Sequence, residues 1–120
     1  MDCITIKNLE FHSLHGYHTE EREKGNDFEV DVLLWVPLAK AAAEDNLSQT
    51  VDYSHAASIV RDIMLGESVK LIETLLFTIG ESLIQEYPGV QKIEVAVRKL
   101  HPPMSPSCEY TEVRSQWPKL

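Results

Sequence analysis

Four residues in this chain, Glu73, Lys99, Tyr53 and Glu21, have types and settings suited to chemistry. Glu73 lies in the run Ser68-Val69-Lys70-Leu71-Ile72-Glu73-Thr74-Leu75-Leu76-Phe77, where helical spacing sets it beside Val69, Leu76, Phe77 and Gly80. A carboxylate among such neighbours loses hydration and needs hydrogen-bond donors in return. A flat ligand with a guanidine-like edge would supply them. The plain alternative is a glutamate on a helix flank that reaches water. Lys99 has the parity of Ile93, Val95 and Val97, so it continues an apolar strand face just before Pro102 and Pro103. An ammonium there is a group whose proton affinity burial can reduce, or else a snorkelling lysine at a sheet rim. Tyr53 stands at a loop-to-helix junction, where it could stack on a flat ligand and carry a proton, or simply pack against the helix start. Glu21 has Glu20, Arg22, Glu23 and Lys24 around it, and a solvated charge run is the default reading.

His12, His15 and His18 recur at a spacing of three and could approach one metal on a helical turn, but Gly16 interrupts them and no cysteine joins them. The expectation is no metal. No glycine-rich phosphate loop, nucleophile elbow or zinc-type cysteine pair occurs.

The elements that must position these residues follow from periodicity. Residues 3–11 read as a strand with Ile4 and Ile6 on one face and Leu9 and Phe11 shifted to the other, a parity switch that predicts a bulge or an early strand end. Residues 12–26 read as a loop with at most a helical turn. The clearest strand is 27–36, where Phe28, Val30, Val32, Leu34 and Val36 alternate with Asp27, Glu29 and Asp31, and Leu33 and Trp35 make its far end apolar on both faces. A short helix is expected over 39–44. A helix capped by Asp52 or Ser54 carries the stripe Ala56, Ile59, Val60, Ile63, Met64 and stops at Gly66; a second, capped near Ser68, carries Ile72, Leu75, Leu76, Ile79, Leu83 and closes at Pro88-Gly89. Strands are expected around 93–99 and 108–117, with a proline loop between them.

The order β-β-α-α-β-β predicts an α+β domain over residues 1–120, a four-stranded antiparallel sheet with two consecutive helices on one face. The two-faced apolar end of strand 27–36 implies that the other sheet face is partly covered too, most simply by another subunit. A chain of 120 residues can bury only a modest core, and the formal net charge of -8 disfavours nucleic acid and anionic membrane as partners. No apolar run reaches the roughly 18 residues a membrane span needs, and the start lacks a signal-peptide pattern. Cys3 and Cys108 read as free thiols in a reducing cytoplasm, with a bridge left open.

Taken in order, Phe11-x-x-x-His15-Gly16, Glu21, Thr50-Val51-Asp52-Tyr53, Leu71-Ile72-Glu73 and Lys99 with Pro102-Pro103 resemble the dihydroneopterin aldolases over about residues 4–113. The resemblance implies the tunnelling fold. It implies that Glu73 and the backbone near Ile72 anchor the pterin edge, and that Tyr53 of a neighbouring subunit stacks on the ring near the Val51 backbone. Lys99 and Glu21 would lie by the trihydroxypropyl side chain. It also implies an octamer of two four-membered rings with pockets between subunits. The activity implied is retro-aldol cleavage of 7,8-dihydroneopterin in folate synthesis. No cofactor is expected, because the substrate's own C=N accepts the electrons and neither metal nor lysine Schiff base is needed. The glycines often found after the proline segment of this family are missing from Leu100–Ser107. Three readings compete: a dihydroneopterin triphosphate 2′-epimerase, which the low basic content disfavours; a zinc pterin synthase of the same fold using the histidine loop; and a non-enzymatic pterin or small-molecule-binding module.

Overall fold

The alternating segments pair into an antiparallel sheet in the order β1-β2-β3-β4, with β1 at Cys3–Ser13, β2 at Asn26–Trp35, β3 at Lys92–Leu100 and β4 at Tyr110–Trp117. The computed structural model describes residues 1–119. Register sets Val30 opposite Val97 and Val32 opposite Val95, so the β-branched residues of β2 and β3 share one face. Against that face pack α3 (Tyr53–Met64) and α4 (Ile72–Glu86), whose stripes supply Ala56, Val60, Met64, Leu75, Leu76, Ile79 and Leu83 to the core. Two short helices, α1 at Thr19–Lys24 and α2 at Ala39–Glu44, complete the set with a 3-10 turn at Leu47–Gln49. None of the described helices is long and apolar enough to cross a membrane.

Side-chain chemistry explains the element ends. Asp52 caps α3, its Oδ1 accepting from Ser54 N at 3.0 Å. Gly80 lets α4 lie directly on Trp117: a Cβ there would stand 2.3 Å from the indole. The parity switch in β1 is a bulge, with the register shifting between Ile6 and Leu9 and Asn8 at φ 57°, and the strand runs on to Ser13.

Two expectations change, and the second sheet face adds a feature that alternation does not reveal. The 12–26 segment is more ordered than a loop, because Glu21 caps α1 by accepting from His18 N at 3.1 Å. The helix expected to start near Ser68 begins at Ile72; the Ser68 hydroxyl instead donates to Leu14 O at 2.5 Å. The second sheet face is not apolar at its centre. There Arg98 donates to both oxygens of Asp31 at 2.8 and 2.9 Å, to Glu29 at 2.9 Å, to Glu112 at 2.8 Å and to Asn8 at 2.5 Å. The apolar residues of this face that alternation marks, Leu33 and Trp35, lie toward its far end, where Lys92 Nζ stands 4.3 Å over the Trp35 ring.

Candidate active site

Lys99 ends the apolar row of β3, paired across to Phe28 and Thr111, and its aliphatic stem follows the core face. Its Nζ donates to Glu21 Oε2 at 2.6 Å. The lone, desolvated amine anticipated from strand parity is therefore half of an ion pair. Glu21 is only 5% exposed and so is not the solvated charge its neighbours suggested. Three donors meet its carboxylate: Lys99 and the Asn26 side chain, at 3.1 Å, on Oε2, and His18 N on Oε1. Burial pushes the Glu21 carboxyl up, but Lys99, the His18 amide and Asn26 together outweigh it and hold the group below its ordinary value. Gly16 makes room: a Cβ at that position would stand 2.4 Å from Glu21 Cβ. Beside the pair opens a depression of about 550 Å³ lined in part by Glu21, Asn26, His101 and Pro103, a size that suits a small molecule.

Glu73 occupies the first turn of α4. The start of this helix is at the Lys99 end of the sheet, since Val69 bonds to both His15 and Gly16 and the His15 ring meets Phe28 edge-on at 5.8 Å. Leu71 at the N-cap gives no side-chain cap, so the start of α4, Ile72 included, keeps the partial positive charge of a helix N-terminus without a capping side chain. Glu73 itself is exposed. Leu76 and Gly80 are buried beneath it, but within one chain nothing dries the carboxylate as its apolar neighbours implied.

Tyr53 and Val51 lie at the opposite end. Val51 is buried beside Val36, Tyr87 and Val90, around a depression of about 340 Å³. Tyr53, the first residue of α3, is 62% exposed, so its ring does not tuck in the helix start. From Phe28, which faces Lys99, to Trp35 is seven steps along β2, roughly 23 Å. One chain thus brings Glu73, Ile72, Lys99 and Glu21 to one end of the sheet and leaves Tyr53 and Val51 at the other.

The three histidines do not converge. His12 bonds Asp27 and Lys24 O, His15 bonds Met64 O and Val69 N, and His18 caps α1. Among the described residues no three His, Cys, Asp or Glu side chains gather as a ligand set. Sequence reasoning missed Asn26 as an orienting group for Glu21, although a polar amide just ahead of a strand is a detectable signal. It also missed the Arg98–Asp31 cluster, because alternation marks Asp31 as solvent-facing and only register reveals its cation.

Comparison with known proteins agrees over the same span. Residues 4–116 match the FolB family, dihydroneopterin aldolase. A dihydroneopterin aldolase of Bacillus subtilis (strain 168) is 38% identical over 104 residues, covering 87% of each chain. The E. coli dihydroneopterin aldolase structure in complex with neopterin superposes with a TM-score of 0.89 at 19% identity, covering 98% of this chain and all of that one, a likeness of fold. A Burkholderia thailendensis dihydroneopterin aldolase bound to guanine gives 0.78 at 26% identity, covering 98% of this chain and 91% of the other.

Proposed function

The chain belongs to the dihydroneopterin aldolase family, and from that premise we propose that it cleaves 7,8-dihydroneopterin by a retro-aldol step to 6-hydroxymethyl-7,8-dihydropterin and glycolaldehyde. The observation that carries this reading for these residues is the buried Glu21–Lys99 pair, set at the same sheet end as the uncapped start of α4 and Glu73.

Glu73 and the Ile72 backbone hold the pterin edge, the carboxylate accepting from the 2-amino and N3 hydrogens. Lys99 and Glu21 handle protons at the side chain. At rest the pair is charged, with Glu21 below its ordinary value. Desolvation is the largest influence on that carboxyl and acts upward, so a substrate that drives out the remaining water favours moving the proton from Lys99 to Glu21. The transfer leaves a neutral amine with no change in the net charge of the site. That amine takes the 2′-hydroxyl proton, the C1′–C2′ bond breaks, glycolaldehyde leaves, and the electron pair moves into the ring C=N as an enamine. Tyr53, supplied by a neighbouring subunit near Val51, stacks on the ring and carries a proton toward it. The proton that Lys99 took from the 2′-hydroxyl is then delivered to C1′, and the ring nitrogen returns its proton to Tyr53 as the C=N is restored. The ring supplies the electron sink, so the reaction asks for no cofactor, metal or Schiff base.

Residues 1–120 act as one unit within a homo-octamer of two four-membered rings. The separation of Tyr53 from Lys99 supports pockets shared between subunits. The free thiols Cys3 and Cys108 suit a cytoplasmic setting. Incubation with 7,8-dihydroneopterin and chromatographic separation of products tests the reaction: glycolaldehyde and the hydroxymethyl pterin are expected, and unchanged substrate would overturn it.

A further inference from the structure

His15 is 1% exposed, yet neither ring nitrogen is idle. Nε2 lies 2.6 Å from Met64 O, and Nδ1 lies 3.1 Å from Val69 N. A carbonyl only accepts and an amide N–H only donates, so the proton sits on Nε2 and the Nδ1 lone pair receives Val69. With both nitrogens committed inside the protein, His15 has no electron pair for a metal and no proton for a substrate. What it holds is more informative. Met64 is the last residue of α3, and Val69 lies four positions before Glu73. One ring therefore ties the end of α3 to Val69, within the connection leading into α4, a helix without a side-chain cap of its own.

The backbone of the same residue reaches the acid–base pair. His15 O accepts from Asn26 Nδ2 at 2.9 Å, and that amide also donates to Glu21 Oε2. The next residue repeats the tie in both directions, since Gly16 N donates to Val69 O at 2.9 Å, and its lack of a side chain leaves room for Glu21, whose Cβ would stand 2.4 Å from a Cβ there. We propose that His15 is a positioning residue, which sets the distance between the Glu21–Lys99 pair and the Glu73 end of α4 and so makes one bound pterin fit both. The role rests on the function proposed above.

The two ring nitrogens can be replaced separately. In His15→Asn the side-chain oxygen stands near the place of Nδ1 and can still receive Val69, while the bond to Met64 is lost. In His15→Gln the amide nitrogen stands near the place of Nε2 and keeps Met64, while Val69 loses its acceptor. Each variant gives up one buried hydrogen bond, so a purely structural role predicts similar losses of thermal stability and affinities that follow stability. Positioning predicts that neopterin, titrated calorimetrically, binds His15→Gln roughly tenfold or more weakly than His15→Asn, at comparable melting temperatures. Equal affinities, or the reverse order, would overturn the proposal. The wild-type protein provides a second test should either variant fail to fold. Imidazole nitrogen NMR should place the proton on Nε2, and neopterin should slow amide exchange at Val69. The opposite tautomer, or an unchanged Val69 amide in a neopterin-saturated protein, would overturn it equally. Wild-type protein that cleaves no 7,8-dihydroneopterin would instead bring down the function itself, and this role with it.

Discussion

At the scale of single residues, the site divides into an exposed anchor and a buried pair, and their substitutions should behave differently. Glu73 is exposed, and its side chain makes no hydrogen bond among the described residues, so Glu73→Ala should leave unfolding unchanged. In the proposed anchoring role its two charge-assisted bonds to a pterin edge would form in a pocket that the ligand dries, and losing them should cost roughly 2–5 kcal/mol of affinity. Calorimetry with neopterin checks this, and near-wild-type binding would end the anchoring role. Lys99→Met should cut turnover by roughly 10²–10⁴-fold, the range for one acid–base group, with a smaller loss of binding. Borohydride added during turnover should leave the wild type active and add no mass to the protein; an adduct on Lys99 would overturn the noncovalent route. The same variant has a consequence for stability. Because the Glu21 carboxyl is depressed, its pairing stabilises the fold above its ordinary value near 4.5, and that contribution drains away as pH falls through the depressed value. Without Lys99, burial acts on Glu21 with less opposition and the depression shrinks, so the acid-side loss of stability should be smaller than in the wild type, or reversed if burial prevails. Urea midpoints between about pH 3 and 7 should show it, and superimposable profiles would refute the pairing.

At the scale of elements, the centre of the outer sheet face depends on a charge cluster spanning all four strands. Asp31 on β2 faces Arg98 on β3 and Lys7 and Asn8 on β1, and Glu112 on β4 completes the shell. Burial pushes the Asp31 carboxyl up, but Arg98, the Asn8 amide and Lys7 overcome it and hold the group far below the usual carboxylate range. The Asn8 amide donates to Asp31 Oδ1 at 2.8 Å, so the β1 bulge and the cluster fix each other. Arg98 is also the neighbour of Lys99, and its four-strand anchorage holds the strand that presents the lysine. Asp31→Ala would leave a buried guanidinium short of its main partner and should cost roughly 3–5 kcal/mol in urea unfolding. A loss below about 1 kcal/mol would mean that Glu29 and Glu112 suffice without it.

At the scale of the whole molecule, one chain cannot close the proposed pocket. Val51 lies beside Val36 at the Trp35 end of β2, and Tyr53 starts the helix whose other end, Met64, meets His15, so both stand away from the sheet end that carries Lys99 and Glu73. If neighbouring copies supply the missing half, each inactive variant still owns one good half. Mixing Tyr53→Ala with Glu73→Ala subunits should regenerate some pockets that combine an intact Tyr53 with an intact Glu73, and activity should reappear on subunit exchange. Light scattering should give an octamer for both variants. An active monomer, or mixtures that stay silent despite proven exchange, would contradict the shared site.

Much of this protein is determined by local pattern. The alternation in 27–36 and the stripe from Ala56 to Met64 identify a strand and a helix, because each needs one apolar face to bury. The β1 bulge is legible as a parity switch between Ile6 and Leu9. Lys99 on the core face follows from the parity of Ile93, Val95 and Val97. The ordered set of Glu21, Tyr53, Glu73 and Lys99 reads as a family signature. Pattern does not carry the partners of charged groups across the fold. Glu21 looks like one more surface acid until folding brings Lys99 against it, and Asp31 looks solvent-facing until register sets Arg98 beside it. His15 is one of three evenly spaced histidines until Met64 and Val69 close on its two nitrogens. In each case the energy comes from groups distant in sequence, whose donors and acceptors replace the water that burial removes, and only the tertiary structure decides which groups those are.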